Sequence, residues 1–376
     1  MLGRSAPRFS HRTLLLLLAA AGVLLALAAM SLLMARLWPF GADYFYFFYP
    51  MAEQWVDGQF TMYDGAGERL FYPPWSLFVI IPLGFFPLEL GKGVLFTASL
   101  VGLIAAVRIY QGGRSVTMLG VVFALANLHT FDLLVRGQID VVVLLGLVLG
   151  AWAIPNRRPV MTGLALCLMV MKPPLNIALP GLLYLLAIRT WPRRELGRVM
   201  WFPVGVLIVS SLMVGLDWPL LFVRNVETPV NYLSISLWRG AAVLGLPAWP
   251  IAIAAVVAVI AWLRLAMREG LTDRTLSLAL ATNFVFTNYA NGDHYILLIP
   301  ALLYVAHHSP RLALLAYLTT WTPLLRLPLG PDASPIDILY PVVLLGAAWY
   351  LRPATAAPRA APASTPVRDL NATTTD

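Results

Sequence analysis

Residues 39–74 read PFGADYFYFFYPMAEQWVDGQFTMYDGAGERLFYPP. The stretch follows the first long apolar run, Thr13 to Trp38, and precedes a long and mostly apolar remainder. It carries Asp43, Glu53, Asp57, Asp64 and Glu68, five of the 18 acidic residues of the chain. A carboxylate held at the edge of a bilayer costs free energy, so an acidic loop pressed against a membrane is read as a functional site. Asp43 stands first. It lies just past an apolar run and beside the aromatic series Tyr44-Phe45-Tyr46-Phe47-Phe48-Tyr49. The plainer reading is an interfacial aromatic belt with one solvated Asp.

The rest of the chain decides what surrounds that loop. Of 376 residues, 60% are hydrophobic and only 12% charged, against about 25% charged in a soluble domain. Apolar runs of about 17 to 25 residues recur, which predicts an all-α polytopic membrane protein. A barrel would show short alternating segments instead. The net charge of +8 then reports orientation in a membrane, and no nucleic-acid partner is expected. The single cysteine, Cys167, excludes an intramolecular disulfide. Thr13–Trp38 exceeds the apolar core of a signal peptide, about 7 to 15 residues, and reads as an uncleaved span.

Spans are expected at 13–38, 89–108, 115–134, 139–154, 159–171, 174–189, 199–217, 247–265, 275–290, 294–308, 311–327 and 336–351, about twelve in all. Proline-bounded residues 72–87 read as a re-entrant or interfacial segment. Basic residues stay on the cytoplasmic side of a membrane. With the N-terminus inside, 18 of the 26 basic residues fall inside, whereas 13 of the 18 acidic residues fall outside. Counting 72–87 as a span would put the Arg189–Arg198 cluster outside. The expectation is a multi-pass protein of the cell membrane with both termini cytoplasmic. Residues 1–351 would form one transmembrane domain, and the Pro-, Ala- and Thr-rich residues 352–376 a disordered cytoplasmic tail.

Polar residues gather on the outer side. In His129–Asp140, His129, Asp132 and Arg136 share a helical face; Gly137 should break the helix and leave Gln138 and Asp140 at a turn. These charges could also be a structural ion pair. Lys172, before Pro173, could bind a phosphate as a point charge or snorkel from a helix end. In Asn288–Tyr295, Asp293 and His294 could meet an anion or relay a proton, or form a polar turn. No phosphate-cradling Gly-rich loop, HExxH, CxxC or GxSxG occurs, and no Asp-x-Asp, so neither metal nor cofactor is expected.

Taken together, these motifs resemble a family. Asp43, Gly58 and Tyr63 in GQFTMY, Phe71-Tyr72-Pro73-Pro74, Pro82-Leu83 with Pro87, Gly137-Gln138, Lys172-Pro173 and Asp293-His294-Tyr295 resemble the bacterial GT-C-fold, polyprenyl-phosphate-dependent glycosyltransferases of family 87. That family includes mycobacterial mannosyltransferases acting on phosphatidylinositol mannosides. The likeness runs over roughly residues 13 to 350. Asp140 departs from it, where a neutral polar residue is expected after Gly-Gln, and the 218–246 loop matches nothing in it. The resemblance implies a GT-C-like bundle with a long first extracytoplasmic loop, Asp43 as catalytic base, and His294 on the donor phosphate. The residues themselves add Lys172, Arg136 and Arg239 as further cations for that phosphate, with Tyr44, Glu53, Tyr72, Gln138, Asp140 and Asp293 as other site candidates.

The expected activity is inverting transfer of a sugar, mannose first by family analogy. The donor would be a polyprenyl-phosphate sugar and the acceptor a hydroxyl of a lipid or glycan, with membrane lipids around both. A secondary transporter suits the same helix count, and a lipid-glycan flippase or polymerase is a third reading. Transporters gather ionisable groups at broken helices near the midplane; the long acidic outer loop favours the enzyme.

Overall fold

The computed structural model describes residues 11–39, 41–59, 72–112, 118–173, 177–226, 235–325, 328 and 331–351. Tyr63, Phe71 and the expected tail 352–376 lie outside them. Among the described residues the chain is 83% helical, with no strand. Its helices are α1 (His11–Leu37), α2 (Tyr49–Val56), α3 (Leu77–Ile80), α4 (Leu88–Gln111), α5 (Met118–Leu125), α6 (Leu128–Arg136), α7 (Asp140–Ala153), α8 (Pro159–Met169), α9 (Ala178–Ile188), α10 (Arg193–Val214), α11 (Trp218–Val226), α12 (Leu237–Val243), α13 (Trp249–Glu269), α14 (Asp273–Phe286), α15 (Ile299–His308), α16 (Pro310–Thr319) and α17 (Leu339–Tyr350).

Four helices are long and apolar enough to cross a membrane: α1, α4, α10 and α13. The pair α5–α6, bent by 47°, would make a fifth. On α1, α10 and α13, Leu24, Leu212 and Val257 are exposed. Such long apolar helices in the open suit hydrocarbon rather than water, and the chain is a membrane protein. Helices also stand at the other expected spans, but twelve full-length crossings do not follow. For example, α8 and α9 have 11 residues each, which at 1.5 Å per residue is roughly half of a 30 Å hydrocarbon core. Between Pro74 and Phe85 runs another short apolar helical segment.

The short helices form the interior. Almost every residue of α14 is buried, including Thr275, Ser277, Thr282 and Asn283. Around it pack α9, α13, α15 and α17, while α7 packs against α4 and α8. Because a helix this short ends inside the molecule, its orphaned backbone groups need local caps. Asn127 caps α6 by accepting the Thr130 N–H at 2.9 Å. Gly137 ends α6 at φ +71°, the left-handed conformation that glycine adopts at least cost. The expected break at Gly137 is therefore present, and α7 restarts at Asp140.

Three such breaks meet. One is the α6–α7 turn; the second follows α8; the third follows α14 and continues into the 3₁₀ turn Gly292–Leu298. That turn packs against both α6 and α7. Gln138, Asp140, Lys172, Asp293 and His294 sit on or directly beside these breaks.

Candidate active site

Asp43 opens a helical stretch whose first turn, Tyr44–Phe48, is a π-helix. Single π turns inside α-helices recur at functional sites. Tyr44, Phe48 and Ala52 are buried and hold one face of the stretch in the core. The Tyr44 hydroxyl donates to the Leu88 carbonyl at 2.7 Å, so Tyr44 anchors the turn and leaves the reacting groups to its neighbours. Gly41 lies directly against the backbone of Val135 and Arg136, where a Cβ would collide with both carbonyls. This close approach sets half-buried Asp43 beside the end of α6.

The centre of the cluster is Lys172. Its Nζ donates to Asp140 Oδ1 at 2.7 Å and to Gln138 Oε1 at 3.0 Å, and lies 3.9 Å from Asp293 Oδ2. Its side chain is only 5% exposed, and that of Asp140 is wholly buried. Burial is the largest single influence and pulls the ammonium down, but Asp140, together with Tyr72, Asp293 and Tyr289, outweighs it and holds Lys172 above the ordinary lysine value. Tyr72 completes this side, with its ring centre 5.9 Å from Nζ and its hydroxyl 3.5 Å from Gln138 Oε1.

Arg136 Nε donates to Asp132 Oδ1 at 2.9 Å and lies 3.9 Å from Asp293 Oδ1. The shared face predicted for these two residues is thus an ion pair. Beyond it lies a cavity of about 250 Å³ lined by His129, Phe131, Asp132, Arg136 and Gly292. His129 is buried and stacks on Tyr340 with ring centres 5.4 Å apart.

Asp140, Asp293 and His294 bring ligand atoms within 4.8 Å of one another, as a metal site would. The imidazole argues otherwise. Its Nδ1 accepts the Asn291 N–H at 3.1 Å, so the neutral ring carries its hydrogen on Nε2 and offers a cation no lone pair there. That Nε2 faces Asp293 Oδ2 at 3.4 Å and Asp140 Oδ2 at 3.7 Å without completing a hydrogen bond. Among the described residues it is a donor without a hydrogen-bond partner, whereas Lys172 and Arg136 already donate to Asp140 and Asp132.

Asp43 faces the cluster: Gln138 and the charges of Lys172 and Arg136 favour its ionised carboxylate, whereas the charge of Asp293 opposes it. Burial is the largest influence and raises the Asp43 carboxyl above the ordinary aspartate range. Among the described residues, then, the breaks bring together Asp43, Tyr72, Arg136, Gln138, Asp140, Lys172, Asp293 and His294. Glu53 is exposed on α2, and Arg239 sits in the first turn of α12, its N–H bonded to Ser236. Neither takes part in the hydrogen bonds and ion pairs just described. Tyr289, with its ring centre 5.4 Å from that of His294, was missed as an individual residue, although it lies within the polar turn Asn288–Tyr295.

A helical membrane protein with a buried acid–base cluster where its broken helices meet is the class that fold and site define. Residues 70–290, more than half of the chain, match Glycosyltransferase family 87. The protein belongs to that family and is a glycosyltransferase. Tyr72, Arg136, Gln138, Asp140, Lys172 and Arg239 fall within the match, whereas Asp43, Asp293 and His294 fall outside it. No curated protein and no solved structure matches the chain.

Proposed function

We propose that this glycosyltransferase moves a sugar, mannose first, from a polyprenyl-phosphate sugar to a hydroxyl of a lipid or glycan. Residues 1–351 act as one transmembrane domain, in the cell membrane, with both termini cytoplasmic and the site on the extracytoplasmic face. The observation that carries the reading is the meeting of one half-buried carboxylate, Asp43, with three N–H donors suited to phosphate: Lys172, Arg136 and His294.

Asp43 takes the proton from the acceptor hydroxyl. The acceptor oxygen bonds to the anomeric carbon, and the bond from that carbon to the phosphate oxygen breaks. Polyprenyl phosphate leaves with the electron pair. A departing phosphate needs no strong acid, only donors placed where its charge develops. Lys172 has a third N–H beyond those given to Asp140 and Gln138. With His294 Nε2–H and Arg136 it can serve the departing oxygens; Arg239 belongs to this set only if the bound donor draws α12 inward. Attack opposite the phosphate inverts the anomeric centre.

Donor class follows from this reading. Purified protein should transfer sugar from a synthetic polyprenyl-phosphate sugar and be indifferent to UDP- or GDP-sugars. Efficient transfer from a nucleotide sugar, with no lipid-linked donor present, would refute it.

Sidedness is tested separately. Glu53 and Arg193 are exposed and belong to opposite sides in the expected topology, so cysteines placed there in a Cys167→Ser background should differ. Membrane-impermeant maleimide should label position 53 in intact cells and leave position 193 unlabelled until the membrane is opened. The reverse pattern would turn the protein over and remove the site from the outer face.

A further inference from the structure

Another cavity lies where the turn after α7, the end of α9 and the end of α13 meet. It has a volume of about 390 Å³, and its wall includes Arg157, Arg189, Thr190, Trp191, Ala266 and Met267. No residue of the active-site cluster lines it, and neither does any carboxylate. Arg157 stands at φ +48°, the only non-glycine residue with positive φ among the described residues. That conformation costs a non-glycine residue free energy. The turn is held by the Arg157 N–H on the Ile154 carbonyl at 3.1 Å and the Arg158 N–H on the Ala153 carbonyl at 3.0 Å. Glu195 Oε2 lies 4.0 Å from Arg157 Nη1, but that arginine side chain is 63% exposed, and an exposed pair of this kind holds weakly. Arg189 is exposed as well. Trp191 is buried against the same wall, and tryptophan favours the headgroup level of a membrane.

The groove continues onto α13, one of the helices long and apolar enough to cross a membrane. Met267 lines the cavity. Ile260 and Val256 precede it by seven and eleven residues, so all three lie within about 40° of one another around the helix. All three are exposed. At 1.5 Å per residue this apolar stripe is about 16 Å long, roughly one leaflet of a 30 Å hydrocarbon core. We propose that the groove binds one anionic phospholipid, its phosphate between Arg157 and Arg189 and an acyl chain along Met267, Ile260 and Val256. Guanidinium groups match phosphate oxygens in charge and in the spacing of their donors, and basic pockets between crossing helices take anionic headgroups. A zwitterionic headgroup brings a cation that two arginines repel, and a soluble phosphate makes no use of the stripe. In the topology proposed above the groove meets the cytoplasmic leaflet, opposite the active site; the binding itself does not depend on that sidedness.

Native mass spectrometry of the full-length protein in detergent tests this. The probes are phosphatidylglycerol, phosphatidylcholine with the same acyl chains, and glycerol phosphate. The protein should hold one phosphatidylglycerol about 10-fold or more tighter than phosphatidylcholine, the scale set by charge-assisted hydrogen bonds, and should not retain glycerol phosphate. Arg157→Gln combined with Arg189→Gln should abolish that preference. Arg193→Gln combined with Arg198→Gln removes the same charge from α10, outside the groove, and should leave the preference intact. Phosphatidylglycerol should also raise the thermal midpoint of the parent and of the α10 variant but not of the groove variant, because a ligand stabilises the state that binds it. Equal affinity for the two phospholipids would overturn the proposal. Glycerol phosphate held as tightly as the lipid would overturn it too, making the groove a soluble-anion site. So would equal weakening by both double variants, which would leave only diffuse surface charge. Should the groove variant not fold, Arg189→Gln alone carries the same comparison, and an unchanged preference there would overturn the proposal.

Discussion

Replacing Asp43 with Asn should lower turnover by about 10² to 10⁴, the range by which a positioned general base accelerates proton transfer. Asn keeps the size and hydrogen-bonding reach of the side chain but cannot accept the proton. Because the loss falls on the transition state, kcat should drop while donor affinity and thermal stability barely move. Burial raises the Asp43 carboxyl, which fixes the sign of the pH dependence. The base works ionised, so the rate falls as pH drops through its pKa, and the acid limb should lie above the ordinary aspartate value of about 3.9. The steady-state profile of the Asn variant should lack that limb. Glu53, Asp57 and Asp64 share the same loop in sequence and serve as controls. Near-wild-type turnover in Asp43→Asn, with loss of activity in one of the three, would reassign the base; indifference at all four would remove the loop from the chemistry.

What could be read from the chain alone follows from the range of the interactions involved. Helix breaks are local. Gly137 and the proline after Lys172 announce themselves by backbone preference, and the structure ends helices there. Orientation signals and apolar runs are equally local, which is why helices stand near each expected span. Span count was less legible, because apolar composition does not separate a full crossing from an 11-residue helix buried among others. Partners within the site were least legible. Lys172 reads in sequence as a cation available to phosphate or snorkelling into a headgroup region; in the structure it is tied to Asp140, 32 positions away. Nothing in either local sequence specifies that pairing, although an unexpected acid at 140 was its one visible sign. The π turn after Asp43 and the approach of Gly41 to α6 are tertiary facts of the same kind. Glu53 shows the converse: acidity and proximity in sequence to Asp43 did not bring it to the cluster.

Lys172→Met should produce the largest loss of stability of any single change in the site. Removing one member of a buried ion pair leaves the other charge uncompensated, at a cost of about 3 to 5 kcal/mol. The side chains of Lys172 and Asp140 are 5% and 0% exposed, so water offers Asp140 little replacement. The variant should unfold at clearly lower temperature or denaturant than the parent in detergent, and donor binding should weaken as well. Charge-assisted hydrogen bonds of this type are worth about 1.5 to 3 kcal/mol. Stability and donor recognition are separated by a second substitution. Lys172→Met combined with Asp140→Leu replaces the pair by apolar groups, which is often neutral or stabilising, so the midpoint should return toward the parent value. Donor affinity and turnover should not return with it, because neither Met nor Leu can give a hydrogen to a phosphate oxygen or lock the Gln138 amide. Recovery of stability and activity together would make the pair a scaffold only. Failure of the double variant to regain stability would mean that Asp140 and Lys172 are held by more than each other. A double-mutant cycle measured on both quantities distinguishes the cases, since the two residues touch and their coupling is expected to be large.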